Sequence, residues 1–517
     1  MDKTISVAPG HGLTSAIKKE VGPMRSNQYY AAIDLGSNSF HMLIVRVVAG
    51  SVRTIAKIKR RIRLAEGIRA DGTLTPEAER RALECLAIFA DRVSDISPKN
   101  IRAVGTATLR KINPDDPILE RMQQVLGHPI EIISGLAEAE TIYQGVAHTS
   151  SSHKQLMVCD IGGASTEVAL GEGFQPKQLI SMDMGCVAWM TRFFPEGRIS
   201  PSKVAQAIAA AEQLVTPHAA NFAYASRPHV VGASGTFKAL QEIAIHRGLS
   251  QRFKLPWLET LVAELSQYEN LTDIQLKGLK PERALVLLPG LCILVALFRQ
   301  LRLSYVEATE AALREGVLYS MLSDLQHHDV QLRTLTSLAQ HYQVDTEQSQ
   351  RVLNIFAQLT ACPSVQQHLP PSASTLARAV AYLHEIGHSL SYKHAGQHNH
   401  YVLKNTPLPG FTLRQRHHLL ELLTAIVGII DDDIMPTELP VSPKHALLSR
   451  VLRISILCCQ RRRDDTVPQC RLTSNLAAPP LLKLHLPANF ASQNPFLTSL
   501  LNEESRFQQS FGGLLIS

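Results

Sequence analysis

Short apolar runs alternate with small polar residues where the regular part of the chain begins. Residues 29–33 and 40–45 are largely apolar, and the segment 34–39 between them reads Asp-Leu-Gly-Ser-Asn-Ser. Apolar runs bounded by Gly, Asn and Ser are typical of a β-hairpin. The pattern therefore predicts two strands joined by a tight turn, with Asp34 at the end of the first strand.

The same pattern returns later in the chain. An apolar run at 156–159 is followed by Asp-Ile-Gly-Gly-Ala-Ser-Thr at 160–166 and then by a second run at 167–170. The chain therefore contains an internal repeat of one strand-turn-strand unit, with Asp160 in the position of Asp34.

Each copy is also followed by a strand-like run that ends in small residues. Gly105 lies 71 residues after Asp34, and Gly232 lies 72 residues after Asp160. Ligands of α/β sheets usually bind at the ends of strands. The matching order and spacing therefore predict two homologous α/β lobes, with loops that face a common cleft.

Apolar residues recur at helical spacing beyond residue 320. Stretches at 334–340, 352–359 and 376–383 are rich in Leu, Ala, Arg and Gln, which predicts helices. Residues 481–490 alternate like a strand. We therefore expect a helical region followed by a smaller C-terminal unit.

Composition supports a folded chain with several domains. Of the 517 residues, 45% are hydrophobic and 19% are charged, which excludes an intrinsically disordered polymer. The predicted division is a flexible N-terminal extension at 1–27, lobe I at 28–150, lobe II at 151–320, a helical region at 321–430 and a small C-terminal unit at 431–517.

Charge, cysteines and the apolar runs indicate the compartment and the partners. The longest apolar run, 284–298, is shorter than the about 20 residues of a bilayer span, so we expect no transmembrane helix and no membrane partner. No export signal is visible, and the eight cysteines lack CxxC spacing, which favours reduced thiols in the cytoplasm. The formal net charge of +7 favours an anionic partner, but no motif indicates nucleic acid.

The segments rich in Gly, Ser and Thr are candidates for phosphate binding. Gly permits the positive φ with which backbone N–H groups surround an anion, although the same residues form ordinary turns without a ligand. Asp34 and Asp160 end strands just before two of these segments, where a carboxylate is placed to hold Mg²⁺ or its waters. No GxxxxGK[ST] motif is present, so the chain is not a P-loop enzyme.

A candidate helix between the two repeats carries two glutamates. Ser134-Gly135 punctuates the chain, and Glu138 and Glu140 follow in the first turns of the helix. Two residues span about 200° around a helix, so only one of these carboxylates can face a given cleft. A glutamate in a first turn also has an alternative role, because it interacts favourably with the helix dipole.

Seven short segments, taken together, identify a family resemblance. They lie at 34–42, 105–110, 134–139, 160–167, 184–186, 232–236 and 313–316. From residue 29 onward the chain resembles the Ppx/GppA (exopolyphosphatase/guanosine pentaphosphatase) family. This resemblance implies an α/β fold with two actin-like (ribonuclease H-like) lobes, a helical domain similar to HD phosphohydrolases, and a small C-terminal α+β domain.

The resemblance also implies an activity. A member of this family would be a hydrolase that removes a terminal phosphate with the help of Mg²⁺, and relatives imply a homodimer. Ala164 and the run 461–465 favour the guanosine pentaphosphatase branch, which converts pppGpp to ppGpp in the stringent response. Exopolyphosphatase activity is the alternative, because polyphosphate ends in the same phosphoanhydride.

Site residues follow from the same resemblance. Glu138 would be the base that activates water, whereas Glu167, Asp160 and Asp34 would organise Mg²⁺ and the attacking water. Arg110 would neutralise the terminal phosphate. Its oxygens would be held by loop residues from both lobes, namely Ser37, Asn38, Gly163, Ala164, Ser165, Ser234, Gly235 and Thr236.

The chain departs from the family pattern at three places. Acidic residues usually follow Ser134-Gly135, where this chain has Leu136-Ala137-Glu138. An arginine is common two residues beyond the base, where this chain has Glu140, and Glu310 stands where relatives carry glycine. Glu140 adds negative charge near a polyanion, which would weaken its binding. Glu310 puts a side chain where a glycine would let the backbone approach a ligand.

Other functions fit parts of the sequence. His384-Glu385-Ile386-Gly387-His388 matches the HExxH motif of zinc proteases, but the surrounding region is rich in histidine and Gly387 weakens a helix. The family resemblance implies that His384 and Glu385 occupy the place of the metal-binding His-Asp pair of HD phosphohydrolases, with Glu in place of Asp. An actin-like ATP-dependent kinase and a non-catalytic alarmone sensor also remain open.

Overall fold

The computed structural model describes residues 28–48, 51–69, 71–150, 155–222, 224, 228–322, 329–426, 439–440, 442–475 and 479–517. The predicted extension at 1–27 lies outside these residues. So does the position of the predicted boundary between residues 430 and 431.

Lobe I is built on a five-stranded sheet with the strand order β3-β2-β1-β4-β5. The first three strands are antiparallel, and β4 runs parallel to β1. The elements are β1 (Gln28–Leu35), β2 (Ser39–Val48), β3 (Ser51–Arg61), α1 (Pro76–Val93), β4 (Ile101–Gly105), α2 (Ala107–Arg110), α3 (Ile118–Leu126), β5 (Ile130–Ile132) and α4 (Gly135–Ala147). The hairpin that begins after Asp34 is thereby confirmed.

Lobe II repeats this order in a six-stranded sheet, β10-β11-β9-β6-β7-β8. As in lobe I, three antiparallel strands come first and the fourth is parallel to the first. The elements are β6 (Leu156–Ile161), β7 (Thr166–Glu172), β8 (Gln175–Met182), α5 (Cys186–Phe193), α6 (Pro201–Val215), β9 (His229–Ala233), α7 (Ser234–His246), β10 (Arg252–Phe253), α8 (Leu255–Leu265), α9 (Pro281–Gln300), β11 (Val306–Ala308) and α10 (Leu313–Ser320).

Helix α9 is the central helix of the lobe II core. By length and composition it could cross a membrane, with a mean hydropathy of 1.7 over Arg283–Gln300, but 72% of that segment is buried inside the protein. Leu288, Leu291 and Leu294 are fully buried among side chains of the lobe II sheet and helices. Its apolar character is therefore explained by packing within the lobe.

Helices α4 and α10 cross between the lobes at two glycines. A Cβ atom on Gly316 would lie 1.8 Å from the Thr141 carbonyl oxygen, and one on Gly145 would lie 2.5 Å from the Gly316 nitrogen. Around these helices, side chains from both sheets join one core, with Leu43 from lobe I and Val158 from lobe II. The crossing thus fixes the position of α4 and α10 relative to both sheets.

The chain beyond residue 330 folds around a core of its own. Its elements are α11 (Val330–His341), α12 (Thr346–Thr360), α13 (Pro363–Gln366), α14 (Ala373–Leu383), α15 (Ala395–Asn405), α16 (Leu413–Ala425), α17 (Pro443–Cys458), β12 (Arg471–Ser474), β13 (Leu482–His485), α18 (Phe490–Gln493), α19 (Pro495–Gln508) and β14 (Leu514–Ile516). One buried cluster contains Leu376 of α14, Val451 of α17 and Leu484 of β13. The helices and the three-stranded sheet β12-β13-β14 therefore share a core.

Local predictions in this part were mostly correct. The predicted helices at 334–340, 352–359 and 376–383 fall within α11, α12 and α14. The strand predicted at 481–490 is shorter, because β13 ends at His485 and a helix begins at Phe490. Pro487 explains the early end, since proline has no N–H to donate to a neighbouring strand.

We expect Gly316→Ala to lower the free energy of unfolding by about 1–3 kcal/mol, because the added methyl group forces α4 and α10 apart. Urea unfolding followed by circular dichroism measures this change. Glu140→Ala, on the exposed side of α4, is the control and should change the free energy of unfolding by less than about 0.5 kcal/mol. Unfolding of Gly316→Ala at the same urea concentration as wild type would show that the close crossing is not required.

Candidate active site

Lobe II presents three polar side chains in one row across its antiparallel strands. Asp160 of β6 pairs with Glu167 of β7, and Glu167 pairs with Ser181 of β8. Residues that pair directly across antiparallel strands point to the same face of a sheet. The Ser181 hydroxyl donates a hydrogen bond of 2.8 Å to Glu167 Oε1, so the row is connected by contact as well as by register.

Lobe I presents a row at the equivalent position. Asp34 of β1 pairs with His41 of β2, and His41 pairs with Lys59 of β3. This row lies on the same side of the sheet as Leu43, which packs with α4 and α10 in the core between the lobes. Arg314 of α10 reaches the row, with its Nη1 atom 2.8 Å from His41 Nδ1.

The hairpin turns of the two lobes approach each other closely. A Cβ atom on Gly163 would lie 3.2 Å from the Cβ of Ser37 and 3.7 Å from the Cβ of Asn38. Helix α5 fixes the Gly163 turn from behind, because the Val187 N–H donates a 2.9 Å hydrogen bond to the Gly163 carbonyl. Ala164 and Ser165 are buried in the same turn. The structure therefore brings Ser37, Asn38 and Gly163 together.

The third predicted phosphate loop is the start of a helix. Ser234, Gly235 and Thr236 form the first turn of α7, which follows β9 without an intervening loop. Ser234 has a φ of 72°, and its hydroxyl donates to the Ile161 carbonyl at 2.7 Å. The Thr236 hydroxyl is buried toward α9, where a Cβ on Gly290 would lie 2.6 Å from it. Phosphate contacts of these residues stay a prediction.

Glu138 is buried in the first turn of α4. Ser134 caps this helix by accepting a hydrogen bond of 3.2 Å from the Ala137 N–H, and Glu138 is only 7% exposed. Its Oε2 atom accepts a 2.9 Å hydrogen bond from Nη1 of Arg110. Glu140, two residues further on, is exposed, so only Glu138 faces the interior.

Arg110 is in direct contact with Glu138. It lies at the end of the short helix α2, and its Nη1 donates to the Ile133 carbonyl at 2.9 Å as well as to Glu138. The sequence interpretation placed Arg110 only at the terminal phosphate. The structure adds that Arg110 holds one oxygen of Glu138 in a fixed position.

Four carboxylates lie close enough to affect one another. Burial raises the pKa of Asp34 to about 7, with Arg314 opposing the rise and Glu138 and Asp160 adding to it. Burial also raises the pKa of Glu138 to about 7, and Arg110 opposes that rise. Burial raises the pKa of Glu167 well above its usual value, and repulsion by Glu138 and Asp160 raises it further. The pKa of Asp160 is raised by burial too.

These carboxylates fit a divalent cation. Asp160 Oδ1 is buried and has no hydrogen-bond partner, and Asp160 and Glu167 lie opposite each other on paired strands. Within the described ranges, no three acidic, histidine or cysteine side chains already converge on a single point. Asp160 and Glu167 therefore offer carboxylate oxygens, which are the ligands that hard divalent cations bind.

A group of basic side chains lies beside the carboxylates and was missed from the sequence. Its members are Lys57, Lys59 and Arg61 of β3, Lys238 of α7, Arg283 of α9 and Arg314 of α10. Desolvation lowers the pKa of Lys59, and the nearby Arg283, Arg61, Lys238 and Arg314 lower it further. We call these six residues the basic cluster. The alternation of Lys57, Lys59 and Arg61 along β3 was the signal available in the sequence.

Three side chains of the site, Arg314, Ser181 and His41, were given no role from the sequence. Arg314 lay in a quoted motif without an assigned role, and Ser181 lies outside all of the quoted motifs. Ser181 becomes visible only through the register of β7 and β8. His41 belongs to the same group, since burial and the neighbouring Arg314 lower its pKa to about 3 and keep it neutral.

The HExxH segment lies apart from this site and does not form one helix. His384 follows the end of α14, and Ile386–Ser389 form a separate 3₁₀ turn. His384 Nδ1 contacts the Ala381 carbonyl at 3.0 Å, and Glu385 pairs with Arg462. The two histidines are thus not presented on one continuous helical face, as a zinc protease would require.

Comparison with known proteins places this geometry in a family. The profile of the Ppx/GppA phosphatase family matches residues 43–325, and that of Ppx/GppA phosphatase domain III matches residues 330–505. A guanosine-5′-triphosphate,3′-diphosphate pyrophosphatase of Aliivibrio fischeri is 42% identical over 94% of this chain and 97% of its own. The protein of that name from Photobacterium profundum is 40% identical over the same shares.

Solved structures agree in fold. An exopolyphosphatase from Cytophaga hutchinsonii aligns with a TM-score of 0.52 and 24% identity over 57% of this chain and 98% of its own. The Ppx/GppA family member of Aquifex aeolicus aligns with a TM-score of 0.50 and 21% identity over 58% of this chain and 100% of its own. Together with the family profiles, which span both lobes and the region beyond residue 330, these findings show that the chain belongs to the Ppx/GppA phosphatase family.

Proposed function

We propose that this chain hydrolyses the terminal phosphoanhydride of guanosine 5′-triphosphate 3′-diphosphate (pppGpp) and releases inorganic phosphate and ppGpp. The observation that carries the proposal is Glu138, a buried carboxylate with a pKa of about 7 held by Arg110 beside three further carboxylates. Relatives at 40–42% identity bear the name of this activity.

Glu138 is suited to accept a proton from water. A general base works best when its pKa lies near the operating pH. Because Arg110 holds Oε2, the other oxygen is the one that takes the proton. The water oxygen bonds to the terminal phosphorus, the bridging P–O bond breaks, and ppGpp leaves with the electron pair of that bond.

The phosphate-holding residues are those that meet between the lobes. Ser37, Asn38 and the Gly163 turn face each other, which places backbone and hydroxyl groups around one small space. The basic cluster lies beside the carboxylates and supplies positive charge for the rest of the phosphate chain. Catalysis of phosphoryl transfer consists mainly of such positioning and charge stabilisation.

The metal of this site is proposed to be Mg²⁺. Asp160 and Glu167 would hold it, with Asp34 facing them from lobe I. When bound, Mg²⁺ supplies positive charge that neutralises phosphate oxygens in the transition state. The unpartnered Oδ1 of Asp160 supports this assignment.

Exopolyphosphatase activity is a second candidate. Lys57, Lys59 and Arg61 form a row of positive charge along β3, with Lys59 level with Asp34 and two strands away from it, which suits a longer phosphate chain. Release of inorganic phosphate from pppGpp and from polyphosphate, assayed side by side with Mg²⁺, ranks the two activities. Binding of pppGpp without phosphate release would favour a sensor, and phosphate transfer to an acceptor would favour a kinase.

The wider organisation is part of the same proposal. We infer that the two lobes are actin-like and divide near residue 150, that 321–430 forms an HD-like domain, and that 431–517 forms the small C-terminal unit. We also infer a cytoplasmic homodimer without a nucleic-acid partner. Light scattering of the purified chain tests the oligomeric state.

Glu138→Gln is expected to reduce kcat by about 10²–10⁴-fold, because glutamine cannot accept the proton. Phosphate release from pppGpp measures the loss, and an unchanged circular dichroism spectrum checks the fold. Glu140→Gln is the matched control, since it removes the exposed carboxylate two residues away and should retain the proton acceptor. Activity of Glu138→Gln near the wild-type level would reject the assignment of the base.

The pH profile of kcat/KM should report the titration of Glu138. A carboxylate with a pKa of about 7 is increasingly protonated as the pH falls through 7, so the rate should decrease on the acid side. Arg110 holds this pKa down. Arg110→Gln should therefore shift the acid limb to higher pH, whereas Arg110→Lys should shift it less. An acid limb at the same pH in all three proteins would contradict this role of Arg110.

Asp160→Asn should raise the Mg²⁺ concentration for half-maximal activity by about 10-fold or more, since even residues that support a metal ligand change affinity by that factor. A Mg²⁺ titration of phosphate release measures the shift. Mg²⁺ binding to the resting protein, followed by calorimetry, should weaken in parallel. An unchanged Mg²⁺ requirement in both measurements would remove Asp160 from the proposed ligand set.

A further inference from the structure

Glu310 is an exposed carboxylate in contact with the basic cluster. Glu310 follows strand β11, and its Oε2 atom is 3.6 Å from Nζ of Lys57. Its side chain is 78% exposed, so packing does not account for its position. An exposed acid that is paired with one member of the basic cluster lowers the positive charge that an anionic ligand meets.

Glu310 also interacts with a lysine of its own lobe. Desolvation lowers the pKa of Lys238, and Glu310 is the largest influence that raises it. Lys57 belongs to β3 of lobe I, whereas Lys238 belongs to α7 of lobe II. The carboxylate therefore lies near lysines from both lobes, at the place where the two lobes meet.

The distance from the catalytic carboxylates follows from the strand register. Lys59 is two strands away from Asp34 in the lobe I row, which corresponds to about 10 Å. Lys57 lies two residues further along β3, which adds a shift of about 7 Å along the strand. Glu310 is thus located at the Lys57 end of the β3 row, at a distance from Asp34.

We propose that Glu310 is a specificity-determining residue that disfavours long inorganic polyphosphate relative to pppGpp. The inference rests on the proposed function, because it assumes that the terminal phosphate is bound at the carboxylates. A linear chain that continues from there along β3 passes the Glu310 carboxylate and competes with it for Lys57 and Lys238. The 5′-triphosphate of pppGpp ends at the nucleoside and presents fewer charges in that direction.

Glu310→Gln tests the proposal, because it removes the charge and keeps the shape. At low ionic strength we expect KM for long-chain polyphosphate to fall about 3-fold, which matches the small energy of an exposed ion pair. KM for pppGpp should change less, and kcat should stay the same for both substrates. The difference should shrink as added salt shortens the screening length.

Glu196→Gln is the matched control. Glu196 is 81% exposed, and its Oε2 also lies 3.6 Å from its partner, Arg198, but it belongs to a turn outside the basic cluster. Its KM values should equal those of wild type. Lys57→Gln should change KM for polyphosphate in the opposite direction to Glu310→Gln, since it removes a positive charge from the same pair.

Two results would overturn the proposal. An unchanged ratio of the two KM values in Glu310→Gln would show that the carboxylate does not discriminate. A fall in kcat for both substrates with unchanged KM would instead show that the Glu310–Lys57 ion pair holds the two lobes together and does not select the substrate. Calorimetry of polyphosphate binding distinguishes a failure of this proposal from a failure of the proposed function. It measures affinity without hydrolysis, so the variants can still be compared if the wild-type protein hydrolyses neither substrate.

Discussion

The desolvation of several carboxylates in one place is the constraint on which the rest of the site depends. Asp34, Glu138, Asp160 and Glu167 raise one another's pKa or have it raised by burial. Burying charged carboxylates together is unfavourable, and without other constraints such groups would move apart and become solvated. They stay together because the Gly145–Gly316 crossing fixes α4 between the sheets, and because Arg110 and Arg314 oppose the repulsion. The protein thus holds a charge arrangement that a cation and a polyanion together would relieve.

The two lobes carry different side chains on one backbone pattern. At equivalent positions of the strand rows, Asp34 corresponds to Asp160, whereas His41 and Lys59 of lobe I correspond to Glu167 and Ser181 of lobe II. The duplicated fold keeps one carboxylate in each half. The next two positions differ, so the row of lobe II adds a second carboxylate, Glu167, whereas the row of lobe I ends in a lysine, Lys59.

Sequence reasoning was most successful where the information is local. The hairpins after Asp34 and Asp160 followed from small residues between apolar runs, and the repeat followed from spacing. Ser234-Gly235 was misread as a loop, because nothing in the composition shows that β9 leads directly into α7. Ser181 and the basic cluster were missed for another reason: their proximity to the carboxylates depends on strand register and on contact between the lobes.

Arg110 shows how a structure can extend a role taken from a resemblance. Its Nη1 group is committed to the Ile133 carbonyl and to Glu138, whereas a guanidinium also carries N–H donors on Nε and Nη2. Contact with Glu138 and contact with a phosphate are therefore compatible in one side chain. Under the proposed roles, a phosphate oxygen bound at Nε or Nη2 would share the guanidinium charge with Glu138. The Glu138 carboxylate would then be a stronger base, and this would couple substrate binding to proton acceptance through one arginine.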